Sequence, residues 1–330
     1  MEIAIMHLLT QEDVRRALPM REAIEAVKDA FAQLSAGQAD IPLRAALDVP
    51  RHSGTTLIMP AYLSGDDAMA VKIVSVFDEN PDKDLPLIHA LVVVVNTETG
   101  APEAVMDGTY LTALRTGAAS GAATDVLARQ DAYVAAVFGA GAQGRTQLKA
   151  VCAVRPIEEG LIYDIDQARA ERVADEMSEL LALPVEAAEK PTEAVRSADV
   201  LCTATTSTRP VFNDADLRPG THVNAIGAYT PQMREIPPET VLRAKVVIDH
   251  REASLVEAGD LLIPMEKGLM TEENIHAELG EILAGSKAGR ESAEEITLFK
   301  SVGVAVQDVA AARTALDAAR RLGLGTQLAL

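Results

Sequence analysis

Three cations and one glycine-rich turn carry the chemistry that this chain can do. Lys72 sits inside the apolar run Ala70-Val71-Lys72-Ile73-Val74, where alternation puts it on one face with Ala70 and Val74. An ammonium held on an apolar face is desolvated, so its pKa falls and it can give or take a proton. Arg115 lies in Leu114-Arg115-Thr116-Gly117-Ala118-Ala119, a small-residue helix with little to cover a guanidinium. Its planar fork suits a carboxylate. Arg44 is a third cation in the same half. Each alone also reads as an ordinary surface cation, and spacing does not bring them together. The turn is Val137-Phe138-Gly139-Ala140-Gly141-Ala142-Gln143-Gly144, which fits G-x-G-x-x-G. Gly139 allows the tight turn, Gly141 lets the backbone approach a pyrophosphate, and Gly144 lets helix and strand pack closely. The helix that follows presents unpaired N–H groups and a positive dipole end to phosphates. A nicotinamide dinucleotide would carry the hydride, leaving the protein to supply orientation, charge and a proton.

The flanking segments support that turn. Ala132 to Phe138 is a short apolar run suited to a buried parallel strand, and Arg145 to Val151 has helical spacing. A second strand ends on Asp164, twenty residues beyond Gly144. A carboxylate there can accept hydrogen bonds from the adenosine ribose hydroxyls. Asp166 adds negative charge that would repel a 2′-phosphate, so NAD(H) is expected over NADP(H). The run Thr203-Ala204-Thr205-Thr206-Ser207 reads equally as a cofactor contact through Thr203 and Thr205 or as a polar strand-end loop.

From Ala132 onward strands alternate with helices: Val134–Phe138, Leu161–Tyr163, Val185–Ala187, Val200–Thr203, His222–Ile226 and Val246–Asp249, with helices such as Gln167–Leu183 and Thr192–Ser197 between them. That alternation predicts a doubly wound, Rossmann-type parallel sheet in an α/β protein. Before it, Thr10 reads as a helix cap and Met20 to Ser35 as a helix. Five strands then follow: Arg44–Val49, Thr55–Met59, Ala70–Phe77, Ile88–Asn96 and Glu103–Met106. Turn signals separate them, which predicts antiparallel sheet. Leu111–Leu127 and Gln307–Leu322 read as Ala-rich helices. Because the turn lies in mid-chain, the first ~125 residues form a second, α+β domain.

Composition narrows the function classes. The chain has 330 residues, enough for two cores, and 48% hydrophobic residues, which excludes wholesale disorder. A balance of 30 basic against 49 acidic residues, net −19, repels phosphate backbones, so no nucleic-acid partner is expected. Two cysteines, Cys152 and Cys202, argue against a disulfide framework and suit a reducing cytoplasm. The six histidines show no HExxH or similar spacing, so no metal is expected. No GxSxG nucleophile motif is present. Met1 to Leu9 carries Glu2 and no basic stretch, unlike a signal peptide, and Leu85 to Asn96 is too short to span a bilayer.

Several blocks in order name a family. Met59-Pro60-Ala61, Val71-Lys72, Asn80-Pro81, Leu85-Pro86, Asp107 through Ala119, Gly139 through Gln143, Asn224-Ala225-Ile226-Gly227-Ala228 and Ser301-Val302-Gly303-Val304-Ala305 resemble the ornithine cyclodeaminase/μ-crystallin family. The resemblance covers nearly the whole chain. It implies a substrate-binding and dimerisation domain over 1–125 and 305–330, a Rossmann NAD(H)-binding domain over 126–304, and a homodimer joined through the N-terminal sheets. It implies that Arg44, Lys72 and Arg115 surround a substrate carboxylate and imine, with Lys72 catalytic. The same blocks assign Arg115, Thr116, Ala142, Gln143, Asp164, Ala225, Ile226, Gly227, Ser301 and Gly303 to the dinucleotide.

Departures from the family pattern bear on the reaction. Where cyclodeaminases carry an acid and, four residues later, a Lys, this chain has Tyr229 and Met233. The Glu that they place three residues before the proline of Met-Pro-Ala is Leu57. Without those acids no base is evident for ornithine cyclisation, and Thr-Pro-x-x-Arg-Glu at 230–235 looks like the imino-acid reductase branch. The expectation is NAD(H)-dependent reduction of α-imino acids, cyclic ketimines such as Δ1-pyrroline-2-carboxylate or linear imines of 2-oxo acids, to L-amino acids. L-Alanine dehydrogenase, ornithine cyclodeaminase and non-catalytic μ-crystallin-like ligand binding are the alternatives. Leu57, Val76, Phe77, His89 and Tyr229 are candidates to line the pocket, Tyr229 as a substrate contact.

Overall fold

The computed structural model describes residues 5–329, so the first four positions of the apolar N-terminal run lie outside it. Two compact units divide the chain. One runs to Arg115 and resumes at Val304; the other is Thr116–Gly303. The first unit therefore stops at Arg115, where the sequence reading put the boundary at 125.

The first unit opens with β1 (Ile5–Leu9), α1 (Gln11–Ala17) and α2 (Met20–Ser35). Thr10 caps α1 through a reciprocal box with Asp13. Next come β2 (Ala39–Asp40), β3 (Ala45–Val49), β4 (Gly54–Leu63), β5 (Ala68–Phe77), β6 (Ile88–Val95), β7 (Pro102–Asp107) and the start of α3 (Gly108–Leu127). The second unit holds β8 (Val134–Phe138), α4 (Ala142–Val154), β9 (Glu159–Tyr163), α5 (Gln167–Leu181), β10 (Val185–Ala187), α6 (Pro191–Ser197), β11 (Val200–Thr203) and β12 (His222–Ala225). It continues with α7 (Pro238–Arg243), β13 (Lys245–Ile248), α8 (Arg251–Glu257), α9 (Gly259–Glu266), β14 (Ile275–Glu278), α10 (Leu279–Leu283) and β15 (Thr297–Lys300). Finally α11 (Ala305–Leu322) and β16 (Thr326–Ala329) return to the first unit.

The first unit's sheet runs β16-β1-β7-β6-β5-β4-β2, with β3 also on β4. It is antiparallel except where β1 lies parallel to β7. β4 extends past the expected Met59 straight through Pro60. Pro60 falls between the stretch of β4 paired to β3 and the stretch paired to β2, so its missing N–H breaks no ladder on that side. In β5, Ala70, Lys72 and Val74 are buried while Val71 and Ile73 are more exposed, the alternation anticipated for Lys72. α11 packs on β4, β5, β6 and α2. Its Ala305, Ala311, Ala312 and Ala315 are buried; such short side chains let a helix lie close to a sheet, and its first turn brings Gln307 and Asp308 with it.

The second unit's sheet has the order β10-β9-β8-β11-β12-β15-β13-β14, and every pairing is parallel. Alternate residues of β8 feed two separate cores. Val134, Ala136 and Phe138 join one, and Ala135 and Val137 the other, as a sheet covered on both faces requires. The order reverses between β8 and β11, the switch point at which open α/β sheets take ligands beyond their strand ends. β15 was not expected, because it is short and ends on Lys300. That lysine is fully buried against Asp260, 2.9 Å away. Cys152 and Cys202 are free thiols that burial pushes up to about 12, inert packing residues.

Candidate active site

The first unit gathers its cations around one carboxylate. Lys72 Nζ donates to Asp308 Oδ2 at 2.7 Å, and Arg115 Nε donates to Asp308 Oδ1 at 2.9 Å. Arg115 Nη1 also donates to Gln307 Oε1. Exposure is 1% for Lys72, 6% for Arg115, 0% for Gln307 and 1% for Asp308. Burial lowers the Lys72 pKa to about 8; the Arg115 and Arg44 guanidinium groups push the same way, and Asp308 opposes them. Arg44, just ahead of β3, is thus part of the same electrostatic cluster. Lys72 and Arg115 share the one carboxylate of Asp308, so this pair of cations has the charge to take a second carboxylate. Asp308 stands in the first turn of α11, where the helix dipole favours a carboxylate.

Strand register sorts the pocket candidates. Met59 and Val92 flank Lys72 across β4 and β6, and Leu57 and Ala90 flank Val74 in the next row. Leu57 and Val76 therefore share the face of Lys72. Phe77 and His89 pair into rows of opposite parity and lie on the other face, so these two do not line a site around Lys72.

The second unit builds the turn that the glycines implied. Gly139 has φ +102°, and a Cβ there would stand 2.5 Å from the carbonyl oxygen of Ala204, so the loops after β8 and β11 touch at the switch point. At Gly144 a Cβ would lie 2.0 Å from the Gly139 carbonyl oxygen. At Gly141 it would meet nothing within 4 Å, and no side chain caps α4. Uncapped amides facing open space fit a pyrophosphate. Asp164 accepts from Ala140 N–H at 2.8 Å and from Asp166 N–H at 2.9 Å, which ties the end of β9 to the turn and leaves lone pairs on each oxygen. Asp166 also caps α5, accepting from Arg169 N–H at 3.1 Å. Ala142 and Gln143 open α4. Thr116 and Gly117 pack against α4, where a Cβ on Gly117 would sit 2.7 Å from Thr146 O. The small residues around Arg115 are explained by that close helix contact.

Two buried carboxylates, to which the sequence assigns no role, order the remaining loops. Glu235 accepts from Thr203 Oγ1, Thr205 N, Thr205 Oγ1 and Gly227 N. Burial and Asp260 raise its pKa, while Lys300 and Thr205 oppose the rise. Thr203 and Thr205 thus turn their hydroxyls to Glu235 and hold the backbone of both loops. Asp249 accepts from Ser301 Oγ at 2.7 Å and from Gly303 N–H at 2.8 Å. Ala225 and Ile226 are buried at the end of β12, and Tyr229 is 42% exposed in the loop beyond. Asp308 left one signal, an acid beside Gln307 among the otherwise apolar buried positions of α11. Among the described residues no group of three His, Cys, Asp or Glu could hold a metal ion, and no helix is long and apolar enough to cross a membrane.

Known proteins share this architecture. A Δ1-pyrroline-2-carboxylate reductase of Bacillus cereus is 39% identical over 324 residues, 98% of this chain and 99% of that protein. The structure of Thermococcus litoralis Δ1-pyrroline-2-carboxylate reductase in complex with NADH and L-proline superposes with a TM-score of 0.94 at 47% identity, covering 97% of this chain and 99% of that one. An archaeal alanine dehydrogenase dimer with bound NAD gives 0.91 at 38% identity, covering 98% and 99%. The pattern of the ornithine cyclodeaminase/mu-crystallin family matches residues 5–322, and with both the cation cluster and the glycine turn in place, this chain belongs to that family.

Proposed function

We propose that the protein is an NAD(H)-dependent reductase of α-imino acids, forming L-amino acids. The buried Lys72–Asp308–Arg115 cluster is the observation that carries this reading. Arg44 and Arg115 pair with the substrate carboxylate, and Lys72 hydrogen-bonds to the imine nitrogen and supplies its proton. The reduced dinucleotide, when bound at the Gly139–Gly144 turn with Asp164 at its ribose, supplies the hydride. Fixed cations do most of the work by orienting the substrate and stabilising developing charge in a dry site. Beside Lys72 the sheet offers Leu57, Val74 and Ala90, an apolar row with no acid to receive an ornithine ammonium. Reduction is therefore favoured over cyclisation.

A substrate panel tests this. NADH oxidation is followed with Δ1-pyrroline-2-carboxylate, Δ1-piperideine-2-carboxylate, and pyruvate with ammonia or methylamine; ornithine with NAD is assayed for proline. Turnover of a cyclic ketimine is the expected result. Silence across the panel with intact NADH binding would sink the enzymatic reading and leave ligand binding.

The working form is a cytoplasmic homodimer. The sheet face opposite Lys72 carries the cross-strand row Ile58–Ile73–Leu91 beside Pro60–Val71–Val93, with Ile73 36% and Leu91 38% exposed. A contiguous apolar face of that kind marks an association surface. Light scattering should give twice the chain mass for the wild type and a single chain mass for Ile73→Glu; a monomeric wild type removes the dimer. Two free cysteines suit a reducing compartment.

A further inference from the structure

Asp308 divides its carboxylate between the two cations of the cluster, one oxygen to Lys72 and the other to Arg115. Lys72 faces Arg115 from α3, Arg44 from the segment before β3, and Asp308 from α11. A buried ammonium beside two guanidinium groups sheds its proton readily unless an anion touches it. We propose that Asp308 is a positioning residue that keeps Lys72 charged, and so able to donate, at neutral pH while holding Arg115 alongside it. The inference rests on the reading of Lys72 as proton donor. In that step hydride from the reduced nicotinamide dinucleotide forms a C–H bond at the imine carbon. The C=N π pair moves to nitrogen and takes a proton from Lys72 Nζ, and the neutral amine of Lys72 recharges from solvent. Asp308 exchanges no proton. It also fixes the guanidinium through Nε while Gln307 takes Nη1, and the guanidinium held in that orientation meets the substrate carboxylate.

The test is the pH dependence of reductive kcat/KM for the whole enzyme with NADH and Δ1-pyrroline-2-carboxylate. Asp308→Asn should move the alkaline limb down by about one to three pH units, the range for losing a touching opposite charge. Activity should recover at pH values below the new limb, and NADH affinity should stay unchanged. Asp308→Ser, small enough to fit the same space, carries the same expectation should the asparagine variant fail to fold. Asp308→Glu, which restores the charge, should bring the limb back toward its original position. A merely structural Asp308 would lower the rate at every pH and leave the limb where it was, and that outcome overturns the proposal. Full turnover by Lys72→Met would instead remove the reading on which it rests.

Discussion

Lys72→Met loses reductive turnover by roughly 10²- to 10⁴-fold, the usual worth of a positioned proton donor, while NADH still binds. Methionine keeps the length and apolar bulk of the side chain, so β5 retains its packing and only the ammonium disappears. The wild-type pH profile should carry the same signature. With its pKa lowered to about 8, Lys72 is charged below that pH and neutral above it. Reduction needs the charged form, so reductive kcat/KM falls as pH rises through about 8. Oxidation of the amino acid needs the neutral form and rises over the same interval. Fluorescence titration of NADH and stopped-flow rates at several pH values check both halves. Loss of NADH binding together with turnover would make Lys72 structural, and undiminished turnover would remove it from the mechanism.

Gly144→Ala should disable the dinucleotide turn. The added Cβ falls 2.0 Å from the Gly139 carbonyl oxygen, a backbone atom that no rotamer change can move away. Either α4 lifts from β8 or the turn opens, at a cost of about 1–3 kcal/mol typical of overpacking. Both responses displace the α4 amides, so NADH affinity should drop by about tenfold or more, as 1.4 kcal/mol of lost binding would produce. Gly141→Ala is the informative contrast, since its Cβ meets no protein atom within 4 Å. That variant should keep its melting temperature and lose affinity only through contact with the pyrophosphate. Equal NADH affinity in Gly144→Ala and wild type would mean that the turn does not hold the dinucleotide.

Much of the fold was legible because its signals are local. The β8–turn–α4–β9 order, Asp164 at its end and the capping box at Thr10 depend on residues within a few turns of one another. Buried parallel strands read as unbroken apolar runs, which is why β8 and β11 stood out. β15 did not, since a terminal lysine in an interior strand contradicts that rule until Asp260 is seen to neutralise it. β1 escaped for a related reason: its apolar stretch shows no alternation to set it apart from an ordinary N-terminus.

The site divides along the same line. By itself the sequence determined the glycine turn, the buried face of Lys72 and the absence of an acid at Leu57 and Tyr229, because each follows from residue type and a short period. Only the tertiary structure decided what those residues meet. Asp308 lies 236 positions from Lys72 and 193 from Arg115, yet it joins them. Glu235, 32 positions beyond Thr203, takes the hydroxyls of both Thr203 and Thr205 and so ties their loop in place. Phe77 and His89 fell to the far face through a register that pairing between strands sets. Periodicity reports which face a residue occupies; which charge waits on the facing element depends on long-range packing.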